Sequence, residues 1–352
     1  MRRLLLIRHG QPDFPLEAHM CLGRTDTPLG PLGRMQAVLL GEALRGQRLR
    51  VFSSPLTRCR ETAAPLDEEA TLVAELAEQD MGPWDGLDFE TIKARWPELY
   101  ARRGEEPLLV PPGAESLPEV RRRVLPALRA CLEQRGGDLA LVAHASVIQV
   151  ILAEVCGVPL EDSRPLRIPC GAYAVLCGDG ALQLQQKAAR PRPPLTQALA
   201  EKLLTAAAPG ERVEAHCRAV AAEALRIARA LPVGLDEERL AAAALLHDVA
   251  RREKDHARVG AAWLRELGYD GTAAITAPHH DWESGPIDEA AILYLADKCV
   301  REDRRVPIAE RFAGSEARCR TVEARAAHAR RRDAALRLRD EVNRLCGKSI
   351  VE

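Results

Sequence analysis

The run Leu4-Leu5-Leu6-Ile7 leads straight into Arg8-His9-Gly10, and this junction constrains the first half of the chain more than any other feature. Four consecutive apolar residues are too few for a helix and suit a strand covered on both faces. A parallel strand of this kind delivers the residues after it to the carboxyl edge of a sheet, where open α/β folds place their sites. Here those residues are a guanidinium, an imidazole and a glycine. The Arg fork fits phosphate oxygens, the glycine admits a close backbone approach, and an imidazole beside a phosphate-sized pocket is a candidate nucleophile toward phosphorus. Taken alone, these residues read equally as a strand end capped by a solvated histidine.

The pattern recurs, and the recurrence decides between those readings. Residues 11–30 form a loop rich in Pro, Gly and Asp, and a helix is expected from about Gly33 through Gln36, Ala37, Leu40 and Leu44. Val51-Phe52 is a second short strand. It ends in Ser53-Ser54-Pro55, with a serine expected to cap the next helix and Pro55 near its first turn. That helix opens at Leu56 and carries Arg58, so a guanidinium stands at a helix start, where anions bind. Leu139 to Ala143 is a third apolar strand, ending in His144-Ala145-Ser146 before a helix from Val147 to Val155. In a parallel sheet all three groups meet on one edge. Ala172–Cys177, the turn Gly178-Asp179-Gly180 and Ala181–Gln186 read as a closing hairpin.

The chain has 352 residues, which favours two domains over one core. Its net charge of −1 and pI near 6.8 give no pull toward nucleic acid or an anionic membrane. Aromatics are 3% of residues, so the cores must be aliphatic. Ten cysteines occur without a CxxC pair, and Met1-Arg2-Arg3 leads to only four apolar residues; a cytoplasmic protein with reduced thiols is expected. No stretch nears the roughly 20 apolar residues of a membrane span, and no Gly-rich nucleotide loop occurs.

These motifs, in this order, resemble the histidine phosphatase superfamily with the phosphoglycerate mutase-like fold. Arg8-His9-Gly10 matches its signature, followed by Gly23, Asp26, Pro28-Leu29, Gly33 and Gln36-Ala37. Ser53 to Arg58 matches the block carrying the second arginine, and Leu76 to Gly86 the block carrying the proton donor. The resemblance covers roughly residues 1–187. It implies a three-layer α/β fold with a mostly parallel sheet and a phosphomonoesterase without a cofactor. His9 would accept the phosphoryl group, Arg8, Arg58 and His144 would bind its oxygens, and Glu78 would protonate the leaving alkoxide and then activate water. Phosphoryl transfer asks for this set: in-line positioning, positive charge around three equatorial oxygens, and a general acid for a poor leaving group. The family usually has Gly after the second histidine, where this chain has Ala145; the backbone N–H survives the change. Only about 20 residues separate Arg58 from Glu78, shorter than in mutase members, which points to a phosphatase. Substrate contacts are expected within residues 81–118, from Trp84, Trp96, Tyr100 and Arg102-Arg103.

Lys187-Ala188-Ala189-Arg190-Pro191-Arg192-Pro193-Pro194 breaks the composition, and residues 188–198 are read as an extended linker between a first domain, 1–187, and a second, 199–352. The second half shows no strand pattern. Helices are expected over 213–231, 236–250, 256–267, 270–277, 287–302 and 320–345, an all-α domain. Inside these helices sit His216, His247-Asp248, His256, His279-His280 and Asp297. Five of the nine histidines fall in this set, and burying so many polar side chains without a common ion is costly. The arginines Arg318, Arg320, Arg325, Arg330, Arg331, Arg332, Arg337 and Arg339, interspersed with Glu323, Asp333, Asp340 and Glu341, read as a solvated, salt-bridged face rather than a nucleic-acid handle.

This half resembles the HD superfamily of metal-dependent phosphohydrolases. His216, His247-Asp248 and Asp297 fit its defining order, and His256 and His279-His280 fit the branch that holds two metals; the HD-type dinucleoside tetraphosphate hydrolases of bacteria look most similar. The resemblance implies metal-dependent hydrolysis of a nucleotide-like phosphoester with Fe, Mn, Co or Zn. Lys298 or Arg251-Arg252 would add charge toward phosphate, with a solvated face favoured for the arginine pair. The combined expectation is a bifunctional phosphohydrolase acting on small phosphorylated metabolites or nucleotides, with homo-oligomerisation left open. The alternative is a phosphatase whose HD half is a regulatory or ligand-binding module.

Overall fold

The computed structural model describes residues 2–15, 18–134, 136–178, 181–282, 284–317 and 319–352, with Gly104 described by its backbone alone. Asp179 and Gly180 of the expected hairpin turn, and Arg318, lie outside the described residues. The chain divides into two compact units, Met1–Pro193 and Pro194–Glu352.

The first unit runs β1 (Arg3–Arg8), β2 (Met20–Cys21), α1 (Pro31–Ala43), β3 (Leu49–Ser53), α2 (Thr57–Ala63), β4 (Thr71–Leu72), β5 (Leu87–Asp88), α3 (Phe89–Arg95), α4 (Pro97–Glu105), α5 (Leu117–Glu133), β6 (Asp138–Ala143), α6 (Ala145–Cys156), β7 (Tyr173–Cys177) and β8 (Gln183–Ala189). Six strands form one sheet in the order β4-β3-β6-β1-β7-β8. β1, β3, β4 and β6 are parallel, and β7 and β8 close one side antiparallel. Alternation along β1 makes the sheet the middle of three layers. Leu4 and Leu6 face α5 and α6 through Val120, Val124, Val147 and Ile151, whereas Leu5 and Ile7 face Leu40, Cys59 and Ala63 of α1 and α2. The α/β architecture is the expected one.

The differences lie at element ends. Pro31 is the first residue of α1, two positions before the expected start, because a proline needs no N–H there. Neither serine caps α2. Its cap position is Leu56, and the Ser54 hydroxyl accepts only the Leu56 N–H, at 3.3 Å. Gly10 leaves its expected ligand-facing role to its neighbours, because its backbone is pressed against α1. A Cβ on Gly10 would lie 2.5 Å from the Gly33 carbonyl oxygen, and a Cβ on Gly33 would lie 2.0 Å from that of Gln11.

The second unit runs α7 (Gln197–Ala207), α8 (Glu211–Ala230), α9 (Glu237–Leu246), α10 (His256–Glu266), α11 (Asp270–Thr276), α12 (Glu289–Lys298), β9 (Val300–Arg301), β10 (Arg304–Arg305), α13 (Ile308–Glu316) and α14 (Val322–Cys346). It is helical apart from the two-residue β9-β10 hairpin, which sequence periodicity does not suggest. α9 and α12 are its central helices: Leu240 to Leu246 and Ala291 to Lys298 are buried without interruption. α7 begins inside the stretch read as linker, capped by the Thr196 hydroxyl on the Leu199 N–H at 3.2 Å. α14 carries the mixed charge expected of a solvated face, with Arg332–Asp333, Arg339–Asp340 and Arg344–Glu341 paired. Among the described residues no helix is long and apolar enough to cross a membrane.

Candidate active sites

β1, β3 and β6 end side by side, and their parallel register carries Arg8-His9, Ser53-Ser54 and His144 to one edge. The His9 N–H donates to the Ala143 carbonyl at 3.1 Å, and the Gly10 N–H to the Thr62 hydroxyl at 3.0 Å. The His9 ring has Nδ1 2.7 Å from the Gly10 carbonyl, so Nδ1 carries the proton and Nε2 keeps its lone pair. Burial, then the charges of Arg8 and Arg58, hold this imidazole well below its usual pKa, so it is neutral at pH 7.

Both arginines are fixed through their terminal nitrogens. Arg8 donates to the Ile168 carbonyl at 2.8 Å, and Arg58 to the Gly23 and Thr25 carbonyls at 2.7 and 2.8 Å. Their Nε–H groups are buried without partners, oriented donors in a dry wall. Arg58 has no exposed surface. His144 occupies the cap position of α6, its ring centroid 5.1 Å from that of His9. Its Nε2 lies 2.8 Å from the Ser54 hydroxyl and 3.4 Å from the Cys59 sulfur. Burial, then competition with His9 for a proton and the charge of Arg58, also lower its pKa well below the usual value. Glu78 stands at the same helix start, its two carboxylate oxygens 3.3 and 3.4 Å from the Ser146 N–H. A cavity of about 310 Å³ opens here, lined by Arg8, His9, Glu78, Ser146, Arg103 and Arg167 among others. The cavity presents an oriented neutral imidazole, the Arg8 guanidinium and the Glu78 carboxyl group, while Arg58 and His144 are fully buried and do not line it.

The structure thus brings together all five residues singled out in this half. It separates the expected substrate contacts. Trp84 is the centre of an apolar cluster, with Trp96 and Tyr100 packed on it. Arg102 pairs with Glu106 at 3.1 Å, and of these residues Arg103 alone lines the cavity. Sequence reasoning missed the Ser54 contact with His144, Ser146, and Arg167, whose segment between α6 and β7 has no periodic pattern.

The second unit gathers its ligand-type side chains into two groups, Asp248 with His256, His279 and His280, and His216 with His247 and Asp297. Within each group the ligand atoms lie within 4.8 Å of one another. Not all of them sit inside helices as expected. His216, Asp297 and His256, the first residue of α10, do, but His247 is the residue after α9, Asp248 lies in the following turn, and His279-His280 come after α11. Short loops at helix ends therefore do the gathering. His247 Nδ1 donates to the Ala244 carbonyl at 2.7 Å and His279 Nδ1 to that of Thr276 at 2.6 Å; His216 Nδ1 lies 2.8 Å from the Glu302 carbonyl. Each ring thereby turns an Nε2 lone pair inward.

Those lone pairs face carboxylates. His216 Nε2 is 3.1 Å from Asp297 Oδ1, and Asp248 Oδ1 is 3.1 Å from His256 Nε2 and 3.6 Å from His279 Nε2. His247 Nε2, His279 Nε2 and Asp248 Oδ1 are buried without an aligned hydrogen-bond partner. Converging, unpartnered lone pairs are what a cation neutralises, so the donor set fits divalent metal ions, and its N/O mixture suits first-row metals. Burial pushes the His247 pKa down to about 4 against the pull of Asp248, and burial with His279 pushes His280 down to about 3. Burial would raise the Asp248 carboxyl, but His247 and the hydrogen-bonding histidines hold it well below the carboxylate range. Lys298 turns inward, donating to Asp297 Oδ2 at 2.6 Å and the His279 carbonyl at 3.3 Å. Arg251 reaches the cluster, 2.8 Å from His256 Nε2, whereas Arg252 binds the Pro209 carbonyl.

Each half of the chain matches a known family. The family model described as an HD domain matches residues 213–302. Residues 4–187 match the model of the histidine phosphatase superfamily (branch 1). Glucosyl-3-phosphoglycerate phosphatase of Mycobacterium tuberculosis (strain ATCC 25618 / H37Rv) is 35% identical over 175 residues, 46% of this chain and 78% of that protein. The 2,3-bisphosphoglycerate-dependent phosphoglycerate mutase of Methylobacterium sp. (strain 4-46) is 32% identical over 191 residues, 49% of this chain and 90% of the relative. Among solved structures, one titled mycobacterial hydrolase 2 is 27% identical with a TM-score of 0.50, covering 59% of this chain and 97% of its own. The chain is an enzyme whose second half matches the HD domain model over residues 213–302, and it belongs to the histidine phosphatase superfamily, branch 1.

Proposed function

We propose that the chain is a two-site phosphohydrolase in which residues 1–187 form a phosphomonoesterase domain and the helical unit beyond the Pro-rich segment hydrolyses a nucleotide-like phosphoester. In the first domain His9 Nε2 attacks phosphorus as the P–O bond to the alcohol breaks. Glu78 gives its proton to the departing alkoxide. Glu78 then takes a proton from water as that water attacks the phosphohistidine, releasing phosphate and restoring His9. Arg8, Arg58 and His144 stabilise the three equatorial oxygens throughout. The observation that carries this reading is the His9 ring itself, oriented by the Gly10 carbonyl at 2.7 Å, kept neutral by burial and flanked by two arginines with unpartnered buried Nε–H groups. The names of the relatives support a phosphorylated metabolite as substrate.

In the second domain His216, His247 and Asp297 would hold one divalent ion and Asp248, His256, His279 and His280 another. Bound there, such ions supply Lewis-acid polarisation of phosphoryl oxygens. The chain's own contribution is to exclude water around the buried ligands, to aim the rings, and to place Arg251 where a guanidinium meets phosphate.

A panel of phosphate esters, run with and without chelator on wild type, His9→Ala and Asp248→Ala, tests the assignment. His9→Ala is expected to lose the chelator-insensitive hydrolysis and keep the chelator-sensitive one, and Asp248→Ala the reverse. Chelator-insensitive turnover that survives His9→Ala would overturn the first half, and a chain that neither binds metal nor responds to chelator would overturn the second.

A further inference from the structure

Arg58 is fully buried, and its two terminal nitrogens donate to the carbonyls of Gly23 and Thr25 at 2.7 and 2.8 Å rather than to a carboxylate. A carboxylate against the guanidinium would neutralise it, whereas carbonyl acceptors leave its charge for a substrate. The guanidinium is then placed only as well as those two carbonyls are placed. They belong to a loop, outside every strand and helix.

Asp85 holds that loop. One of its carboxylate oxygens accepts the Gly23 N–H at 2.7 Å and the other accepts the Thr25 N–H at 2.8 Å. The same two residues therefore give their N–H groups to Asp85 and their carbonyls to Arg58. Asp85 is itself anchored. It follows the turn Gly82–Trp84, whose indole is fully buried, its N–H donates to the Gly82 carbonyl at 3.1 Å, and the Gly86 N–H donates to the Cys21 carbonyl at 2.8 Å. The loop is also pressed against the stretch after Glu78: a Cβ on Gly23 would lie 2.7 Å from the Gln79 carbonyl oxygen. Asp26 has a separate task, accepting the Thr57 N–H and hydroxyl at 2.7 and 2.8 Å where α2 begins. Asp26 thus fixes the backbone from which Arg58 projects, and Asp85 fixes the far end of its side chain. Burial disfavours the Arg58 charge, and the carboxylates of Glu78, Asp26 and Asp85 are among the groups that oppose this. Asp85 does not line the cavity in front of His9, so it acts on the site through Arg58.

On the phosphomonoesterase reading of this cavity, we propose that Asp85 is a positioning residue for phosphoryl transfer, holding the Gly23–Thr25 loop so that both carbonyls fix the Arg58 guanidinium while its own negative charge stays one residue's backbone away. An amide in its place would turn an NH2 group toward one of the two N–H donors and release that end of the loop.

A double-mutant cycle on the full chain in chelator, with an aryl phosphate as substrate, tests this. Asp85→Asn is expected to lower kcat about thirtyfold with KM within about threefold of wild type. Asp85→Glu, which keeps the charge and both acceptors, is expected to fall between the two. Arg58→Lys replaces the guanidinium fork by a single ammonium, and in that background Asp85→Asn should change kcat by no more than about twofold, because residues that act through one another are not additive. Asp138→Asn serves as the comparison for stability alone: Asp138 accepts the Arg3 N–H at 2.8 Å at the opposite end of the sheet, so a lowered thermal midpoint with unchanged kcat is expected. Wild-type kcat in Asp85→Asn, or an equal loss in both Arg58 backgrounds, would overturn the proposal. Should the asparagine chain not fold, Asp85→Glu carries the same cycle. A wild type that turns over no aryl phosphate overturns the phosphatase reading instead; a crystal structure of the Asp85 variant then decides the positioning separately, and a guanidinium still seated on both carbonyls counts against it.

Discussion

The Ser54 hydroxyl lies 2.8 Å from Nε2 of His144, and neither side chain has exposed surface. One residue directly follows β3 and the other directly follows β6, so this contact ties together two adjacent strand ends at the edge that carries Arg8 and His9. Ser54→Ala leaves this buried ring nitrogen with only the Cys59 sulfur, 3.4 Å away and a weak partner, at a cost of about 1–3 kcal/mol. Roughly tenfold loss of kcat on an aryl phosphate is expected, with KM little changed, and Ser54→Thr should recover part of it. Steady-state kinetics of the two variants check this, and a Ser54→Ala enzyme with wild-type kcat would remove Ser54 from the catalytic arrangement.

The two buried histidines of the first unit make its stability depend on pH. Both have folded pKa values well below the unfolded value near 6.5, because burial and neighbouring positive charge disfavour the imidazolium. Below pH 6.5 the unfolded chain takes up protons that the folded one does not, so stability is fully present above that pH and falls as pH drops through it. The slope is about 1.4 kcal/mol per pH unit for each proton. Denaturant midpoints for this unit are expected to fall between pH 7 and 5, and the double variant His9→Gln, His144→Gln should flatten that dependence. An equal slope in wild type and double variant would contradict the assignment.

The same shift bears on catalysis. A neutral His9 remains a competent nucleophile below pH 6.5, so the acid limb of kcat/KM should lie well under that value. A pH–rate profile in chelator that breaks near 6.5 would show that His9 titrates like a free imidazole.

Gly10 and Gly33 are packed backbone to backbone. Gly33→Ala would bring a methyl group into the Gln11 peptide, and overpacking of this kind costs roughly 1–3 kcal/mol. Because Gln11 is two residues from His9, a drop in thermal midpoint accompanied by reduced phosphatase kcat is expected. Gly46→Ala serves as the comparison: nothing lies within 4 Å of its added Cβ, although its φ of +79° carries its own backbone strain.

Metal occupancy should stabilise the helical unit. A ligand at a hundred times its Kd adds about 2.7 kcal/mol. Addition of Mn²⁺ or Zn²⁺ to chelator-treated protein is expected to raise the thermal midpoint of this unit, and Asp248→Ala, which removes the carboxylate closest to His256 and His279, should abolish most of the increase. Calorimetry with each metal measures it; an unchanged midpoint in wild type would speak against a cation at this cluster.

The strand ends are legible in the sequence because each pairs a short apolar run with its chemical group in immediate succession. Leu4–Gly10, Val51–Arg58 and Leu139–Ser146 are local signals, and parallel pairing does the rest. The candidate metal ligands of the second unit are legible as residue types but not as positions. The helix containing Leu245 stops at Leu246, and the turns after it, not a continuous helix face, bring His247 to Asp297 and Asp248 to His256 and His279. α7 is hidden because Pro191, Pro193 and Pro194 stand just ahead of Thr196 and draw it into the linker reading. Arg167 carries no signal: its orientation comes from Gln149, 18 residues away, and no local pattern records a contact across that distance.

His247 and His279 use the same device, each giving one ring proton to the carbonyl three residues earlier in its own turn. The consequence is that the aim of both rings is a property of the polypeptide rather than of its cargo. An ion bound there would, on departing, leave the sockets facing the same way, and its replacement would meet a receptor that has not had to be rebuilt.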